Sequence, residues 1–136
     1  MQKMTDIKQE VESIQSWLKG FSKAVRAVDY ETGRTFFADE VVGFGSVAQR
    51  CDGLANLEKN QWRHVWGVTT GFEFDFDSLA VNVDGNMAWA ACSWQSFGKA
   101  ATDEPFLRRG RSTFVFRRQG NQWLAVHSHF SLVPAQ

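Results

Sequence analysis

Along the first quarter of the chain, apolar residues recur at Ile7, Val11, Ile14, Leu18, Phe21, Val25 and Val28, alternately four and three apart. This is the one-sided stripe of an amphipathic helix, widened by Trp17 and Ala24. With Thr5 or Asp6 as its cap, a helix over residues 6–28 is roughly 34 Å long at ~1.5 Å per residue, enough to cross a small sheet. The a/d spacing also fits a coiled coil, but Trp17 and the strand-rich remainder favour packing on a sheet. Residues 29–40 read as a turn and a short helix that buries Phe36 and Phe37. Residues 41–45, Val-Val-Gly-Phe-Gly, read as a short strand. Its glycines imply a bend, or something approaching the backbone closely. A further helix opens at Asp52 or Gly53, carries Leu54, Leu57, Gln61, Trp62, Val65 and Trp66 along one side, and ends at Gly67.

The period then changes from helical to strand-like. Residues 72–77, Phe-Glu-Phe-Asp-Phe-Asp, put phenylalanines on one face and carboxylates on the other. Leu79, Val81 and Val83 continue the alternation in the opposite phase, so a β-bulge is predicted near Asp77 and Ser78. Asp84-Gly85 is a hairpin turn, residues 87–97 a strand, residues 98–105 a polar loop and residues 107–118 another strand. A turn at Gly120-Asn121 leads into residues 123–134, rich in β-branched and aromatic residues and stopped by Pro134. Strict alternation there puts Leu124, Val126, Ser128, Phe130 and Leu132 on one face. Trp123, Ala125, His127, His129 and Ser131 fall on the other. The first set is nearly all apolar and is expected to face a core. The fold class predicted is α+β: a cone-shaped, curved antiparallel sheet wrapped around a long N-terminal helix, in one domain spanning residues 1–136.

The pattern Gly120-x-x-Trp123-x-x-Val126-His127-x-His129-x-Ser131, preceded by Gly110-Arg111-x-Thr113, resembles the last hairpin of the nuclear transport factor 2-like superfamily. Its SnoaL-like branch is the nearest likeness, and the association domain of calcium/calmodulin-dependent protein kinase II ends similarly. The resemblance implies the cone, and it extends over nearly the whole chain. It implies no single activity, because this superfamily holds isomerases, cyclases, dehydratases and association hubs. Relatives that isomerise ketosteroids pair a carboxylate base with a Tyr. Those positions fall here near Gly45 and at Phe21, neither of which moves a proton.

Composition narrows the picture. Lys plus Arg balance Asp plus Glu at 15 each, so no nucleic-acid or anionic-membrane surface is expected. The N-terminus enters the amphipathic pattern directly, without an apolar leader, and a cytoplasmic location is expected. Cys51 and Cys92 lie far apart with no zinc or disulfide spacing. Six Trp and twelve Phe in 136 residues supply a large core, a subunit interface and the walls of a cavity.

Candidate chemistry follows from the cone. Ligand-binding walls are expected from Trp17, Phe21, Phe44, Trp62, Trp66 and Phe130, and a polar end from Arg111, Thr113 and Ser128. The resemblance, rather than strand phase, favours Arg111 and Thr113 over Ser112 and Phe114 as inward-facing, and the set with Ser93 over that with Trp94. An inward Arg111 needs a partner, either a ligand carboxylate or Asp39, Glu40 or Asp75. An open pocket of a few hundred Å³ is expected, because Ala91, Ser93, Thr113 and Ser128 are small. His127 and His129 point the same way, but a third metal ligand is not evident, so neither metal nor cofactor is expected. Trp94, Trp123, His127 and His129 are expected on an outer face that forms a homodimer. The reading is a binder of a small apolar or carboxylate-bearing molecule. The alternatives are a lyase or isomerase of a small carbonyl or polyketide-like compound, with His127 as its catalytic candidate, and a non-catalytic association module.

Overall fold

The structure, a computed structural model, describes residues 4–99 and 104–134. Helix α1 spans Met4–Ala27 and buries Ile14, Trp17, Leu18, Phe21, Ala24 and Val25. The stripe predicted from spacing is therefore the buried one, but its ends are not covered: Ile7 and Val28 are exposed. Val28 turns the chain out of α1 with φ 54°, a left-handed conformation that a β-branched residue adopts at a cost. Helix α2, Tyr30–Arg34, is capped by Asp29, whose carboxylate accepts from the Thr32 amide (3.1 Å) and hydroxyl (2.7 Å). Strand β1, Phe37–Phe44, begins four residues earlier than its glycine-loosened stretch suggested, so Phe37 belongs to the sheet.

After the short strand β2 (Cys51–Asp52), the predicted single helix is a chain of different turns. Helix α3 is Leu54–Leu57, a π-helical turn follows at Glu58–Trp62, α4 is Arg63–Val65, and a 3₁₀ turn closes at Trp66–Val68. Strands β3 (Thr69–Asp84), β4 (Met87–Lys99), β5 (Pro105–Gln119) and β6 (Gln122–Leu132) form a meander. The sheet order is β2-β1-β6-β5-β4-β3. All neighbours are antiparallel except β1 and β6, so the sheet is mixed rather than purely antiparallel.

The register shifts at four places in the sheet, and two of these bear on which side chains face α1. On β3 the register slips between Asp75 and Ala80, where the phase reversal predicted a bulge. Ser78 closes it, its hydroxyl donating to the Asp75 carbonyl (2.6 Å) and accepting from the Ser93 amide (2.9 Å). On β6, Val126 is an extra residue between Ala125, opposite Phe116, and His127, opposite Val115. Strict alternation through this strand is therefore broken. Trp123 and Ala125 face the core from one side of the bulge and Ser128 from the other. The expected outward position of Trp123 is corrected: it is buried, and its indole N–H donates to the Ser13 hydroxyl of α1 (3.0 Å).

The same parity runs across the sheet. Ala90, Cys92, Trp94 and Ser96 of β4, and Ser112, Phe114 and Phe116 of β5, point inward. Trp94 is thus a core residue and not part of an outer aromatic row. Arg111 and Thr113 are exposed on the outer face, against the expectation drawn from the resemblance. The core is largely aromatic. Trp17 sits at its centre, 5.0 Å from Phe114 and 4.8 Å from Phe116, edge to face. Such pairs add ~0.5–1.5 kcal/mol each beyond the area they bury.

Candidate functional site

The cone narrows to a cavity between the C-terminal half of α1, residues 57–69, and the inner faces of β4, β5 and β6. Its volume is about 50 Å³, well below the few hundred expected. The aromatic side chains fill most of the space that the small residues were expected to leave. Ala91 and Thr113 stand on the other face and leave none inside.

Each wall has a local cause. Trp62 and Trp66, one turn apart, stack with ring centres 4.6 Å apart, and Tyr30 stacks on the far side of Trp66 at 5.2 Å. Arg63 covers Tyr30 at 4.2 Å and completes the pile. Gly33 makes room for it, because a Cβ there would lie 2.7 Å from the Trp66 ring. Phe21 meets both indoles, at 6.0 and 5.7 Å. On the sheet side, Trp94 lies between Phe72 (5.7 Å) and Phe130 (5.9 Å). Gly110, directly across from Trp94, leaves the backbone bare for that ring to cross.

The polar atoms are few. Gln61, in the π-helical turn, is buried, and its carbonyl accepts from the amides of Val47 (3.0 Å) and Ala48 (2.7 Å). Its amide group donates to the Ser46 hydroxyl (3.1 Å). Gln61 thereby pins the loop that follows β1 to the cavity rim. Gly43 and Gly45 are bare for the same reason, since Leu57 and Gln61 press on the backbone there. Ser96 and Ser128 are buried on the inner face. Beside Ser96 stands Arg108, half-buried in the wall, its Nη1 3.4 Å from the Ser96 hydroxyl and its guanidinium 5.5 Å from the centre of the Trp94 ring. Burial pushes this guanidinium below its ordinary value.

Of the predicted ligand-binding residues, Phe21, Trp62, Trp66, Ser128 and Phe130 line the cavity, and Phe44 borders it while its ring lies against His127 and His129. Trp17 does not; it is locked in the core, its indole N–H donating to the Phe36 carbonyl (3.1 Å). Arg111 and Thr113 do not, because they face out, and among the described residues Arg111 forms no ion pair with Asp39, Glu40 or Asp75. Glu40 is held instead by Arg117 at 2.5 Å. Sequence reasoning missed Arg108, Ser96, Gln61 and Trp94 as wall residues. Gly110 was the available signal, because a glycine within a strand announces a crossing side chain.

His127 and His129 lie on the outer face with Phe44, whose ring meets theirs edge-on at 5.2 and 5.4 Å. The Nδ1–H of His127 donates to the Val42 carbonyl (2.7 Å), a structural role in the β1–β6 seam. No cluster of three His, Cys, Asp or Glu side chains suited to a metal occurs among the described residues. Cys51 and Cys92 are buried and unpaired, and burial pushes both thiols up, away from the reactive thiolate. Among the described residues no helix is long and apolar enough to cross a membrane.

Comparison with known proteins places this architecture. A nuclear transport factor 2-like protein of unknown function from Pseudomonas putida is 29% identical, with a TM-score of 0.73 over 92% of this chain and 87% of that one. A nuclear transport factor 2-like superfamily protein from Salmonella enterica has a TM-score of 0.78 at 21% identity, over 98% and 95%. The association domain of C. elegans CaMKII has a TM-score of 0.73 at 15% identity, over 92% and 97%. No curated protein matches the chain. The SnoaL-like domain family matches residues 14–136, nearly all of the cone described above, and the chain belongs to that family.

Proposed function

We propose that this chain binds a small, largely apolar molecule in its aromatic cavity and performs no acid–base chemistry there. The observation that carries the reading is the chemistry of the wall. Among the described residues that line the cavity, none is a carboxylate, imidazole, phenol or thiol. Enolisation and dehydration need a group that gives and takes a proton near neutral pH, and serines, a glutamine and an arginine do not. Phe21, where the isomerases carry Tyr, and Gly45, near which they carry Asp, both line the cavity and are proton-inert. His127, the catalytic candidate of the lyase or isomerase reading, points from the opposite face of the sheet.

The volume limits the ligand. A cavity of ~150 Å³ is known to take up benzene, so 50 Å³ suits a smaller buried portion unless the loop held by Gln61 swings aside. Thermal melts with isobutanol and with benzyl alcohol test the reading. A ligand at ten times its dissociation constant stabilises by ~1.4 kcal/mol, a rise of several degrees for a chain of this size. Such a rise, lost in Ser128→Leu, supports the cavity as a binding site; no rise at millimolar concentrations of either probe overturns it.

The outer sheet face favours a second property. Trp89, Val115, His127 and Val42 stand side by side across β4, β5, β6 and β1, and Trp89 is 43% exposed. A large aromatic in the middle of a sheet face marks a partner surface. We infer a homodimer through this face, with His127 and His129 in the seam and Trp89 in the place once expected for Trp94 and Trp123. If no probe enters the cavity while the dimer persists, the protein is an association module.

A further inference from the structure

Arg108 is the charged group in the cavity wall, and no carboxylate among the described residues neutralises it. Arg34, Arg50, Arg63, Arg117 and Arg118 each pair with an Asp or Glu. Arg108 has a single, long hydrogen bond to the Ser96 hydroxyl, at 3.4 Å, which leaves most of its N–H donors unused. It also lies over the Trp94 ring, which orients the guanidinium plane without satisfying its donors. Trp94 is 4% exposed, and its indole N–H is buried with no acceptor. Two neighbouring cavity-wall residues therefore hold unspent donors, one of them charged and partly desolvated. Such an arrangement is costly unless an anion completes it.

We propose that Arg108 anchors the carboxylate of a short, apolar monocarboxylic acid, whose body lies against Trp62, Trp66, Phe72 and Phe130. This rests on the reading of the cavity as a ligand site. A planar guanidinium offers paired N–H groups that match the two oxygens of a carboxylate. One cation neutralises one negative charge, and a phosphate dianion would leave its second charge buried. Of the other polar side chains in the wall, Gln61 is committed to the loop at residues 46–48 and the Thr69 hydroxyl to the Val65 carbonyl (3.1 Å). Beyond the hydroxyls of Ser46, Ser96 and Ser128 the walls are aromatic and aliphatic, so the ligand's body is largely hydrocarbon. The 50 Å³ volume keeps that body small.

Titration calorimetry with two matched pairs tests this: isobutyrate against isobutanol, and benzoate against benzyl alcohol. With the native protein, the anion of the pair that fits binds roughly tenfold or more tightly than its alcohol. Arg108→Met removes an uncompensated charge, keeps its melting temperature, and binds anion and alcohol alike, with the alcohol's affinity unchanged within about twofold. Arg108→Lys keeps the charge, loses the planar fork, and falls between the two. If Arg108→Met does not fold, the lysine variant decides, and an undiminished anion preference in it overturns the proposal. Equal binding of anion and alcohol by the native protein overturns the anchor and leaves the cavity reading standing. Binding of neither overturns both.

Discussion

At the scale of single residues, charge is managed locally and the exceptions mark the site. Glu58, at the start of the π-helical turn, is held by Arg34 (2.5 Å) and Arg63 (2.6 Å) and ties α2 to the second group of helices. Burial would raise its carboxyl, but the hydrogen bonds and charges of the two arginines outweigh it, and the net effect is a lowering from the ordinary 4.5. A carboxyl lowered on folding stabilises above its unfolded value, and the stabilisation disappears as pH falls through the folded one. Glu58→Gln should therefore cost about 1 kcal/mol at neutral pH, a modest figure because both arginines are near half-exposed. Melts from pH 7 down to roughly pH 3 should show the two proteins converging below about pH 4.5. A gap that stays constant across that range contradicts the assignment.

At the scale of elements, the decisive event is one inserted residue. Val126 shifts β6 by half a pleat, so that Trp123, Ala125 and Ser128 all look inward. Deleting Val126 leaves Ala125 and Ser128 two residues apart, so strict alternation keeps Trp123, Ala125 and Ser128 on the inward face and only the bulge is lost. The deletion variant should therefore stay folded by circular dichroism, whereas Trp123→Ala, which empties an inward site, should cost ~3–5 kcal/mol and melt far lower. A largely unfolded deletion variant would mean that the fold needs the bend at Val126 itself. This bulge also explains what the sequence concealed. The β3 bulge was readable because Phe72, Phe74 and Phe76 hand over to Leu79, Val81 and Val83 in the opposite phase. Around Val126 both phases carry apolar residues, Leu124 and Val126 against Trp123 and Ala125, so alternation held no contradiction to notice. On β5 and β4 strand phase chose neither face, and the resemblance preferred Arg111, Thr113 and Ser93, so Arg111 stood in the place of Arg108. The long helix and its buried stripe were legible because a 3.6-residue period has no such ambiguity of face.

At the scale of the whole molecule, the cone presents one covered face and one uncovered face. The covered face holds the aromatic core and its small cavity. The uncovered face holds Trp89 and, at the start of β4, Met87, both more than two-fifths exposed. The homodimer inferred from this should appear in light scattering at micromolar concentration, and Trp89→Glu should give a folded monomer, because a buried unpaired charge at an interface centre is strongly unfavourable. A native monomer at that concentration ends the inference. Cavity and seam share the strands β4, β5 and β6, with Ser128 on one side and His127 and His129 on the other. A ligand that stiffens those strands from within is therefore expected to tighten the dimer, and calorimetry at two protein concentrations would register it.

The sheet does not close, and its open margin at β3 is the longest strand of the molecule, at 16 residues. An unpaired strand of that length is a template on which further chains can stack. Here Glu73, Asp75 and Asp77 crowd the first half of the margin, and the three-residue excess of the Asp75–Ala80 slip crooks it. Two copies brought together along β3 would set these like charges side by side and would find their ladders out of step. The carboxylates that alternate with phenylalanines along residues 72–77 thus act as a fence against fibre growth. Replacing all three with their amides should leave the melt nearly unchanged while shortening the lag before thioflavin-positive aggregates form at neutral pH, and an unchanged lag would show that the crooked backbone alone suffices.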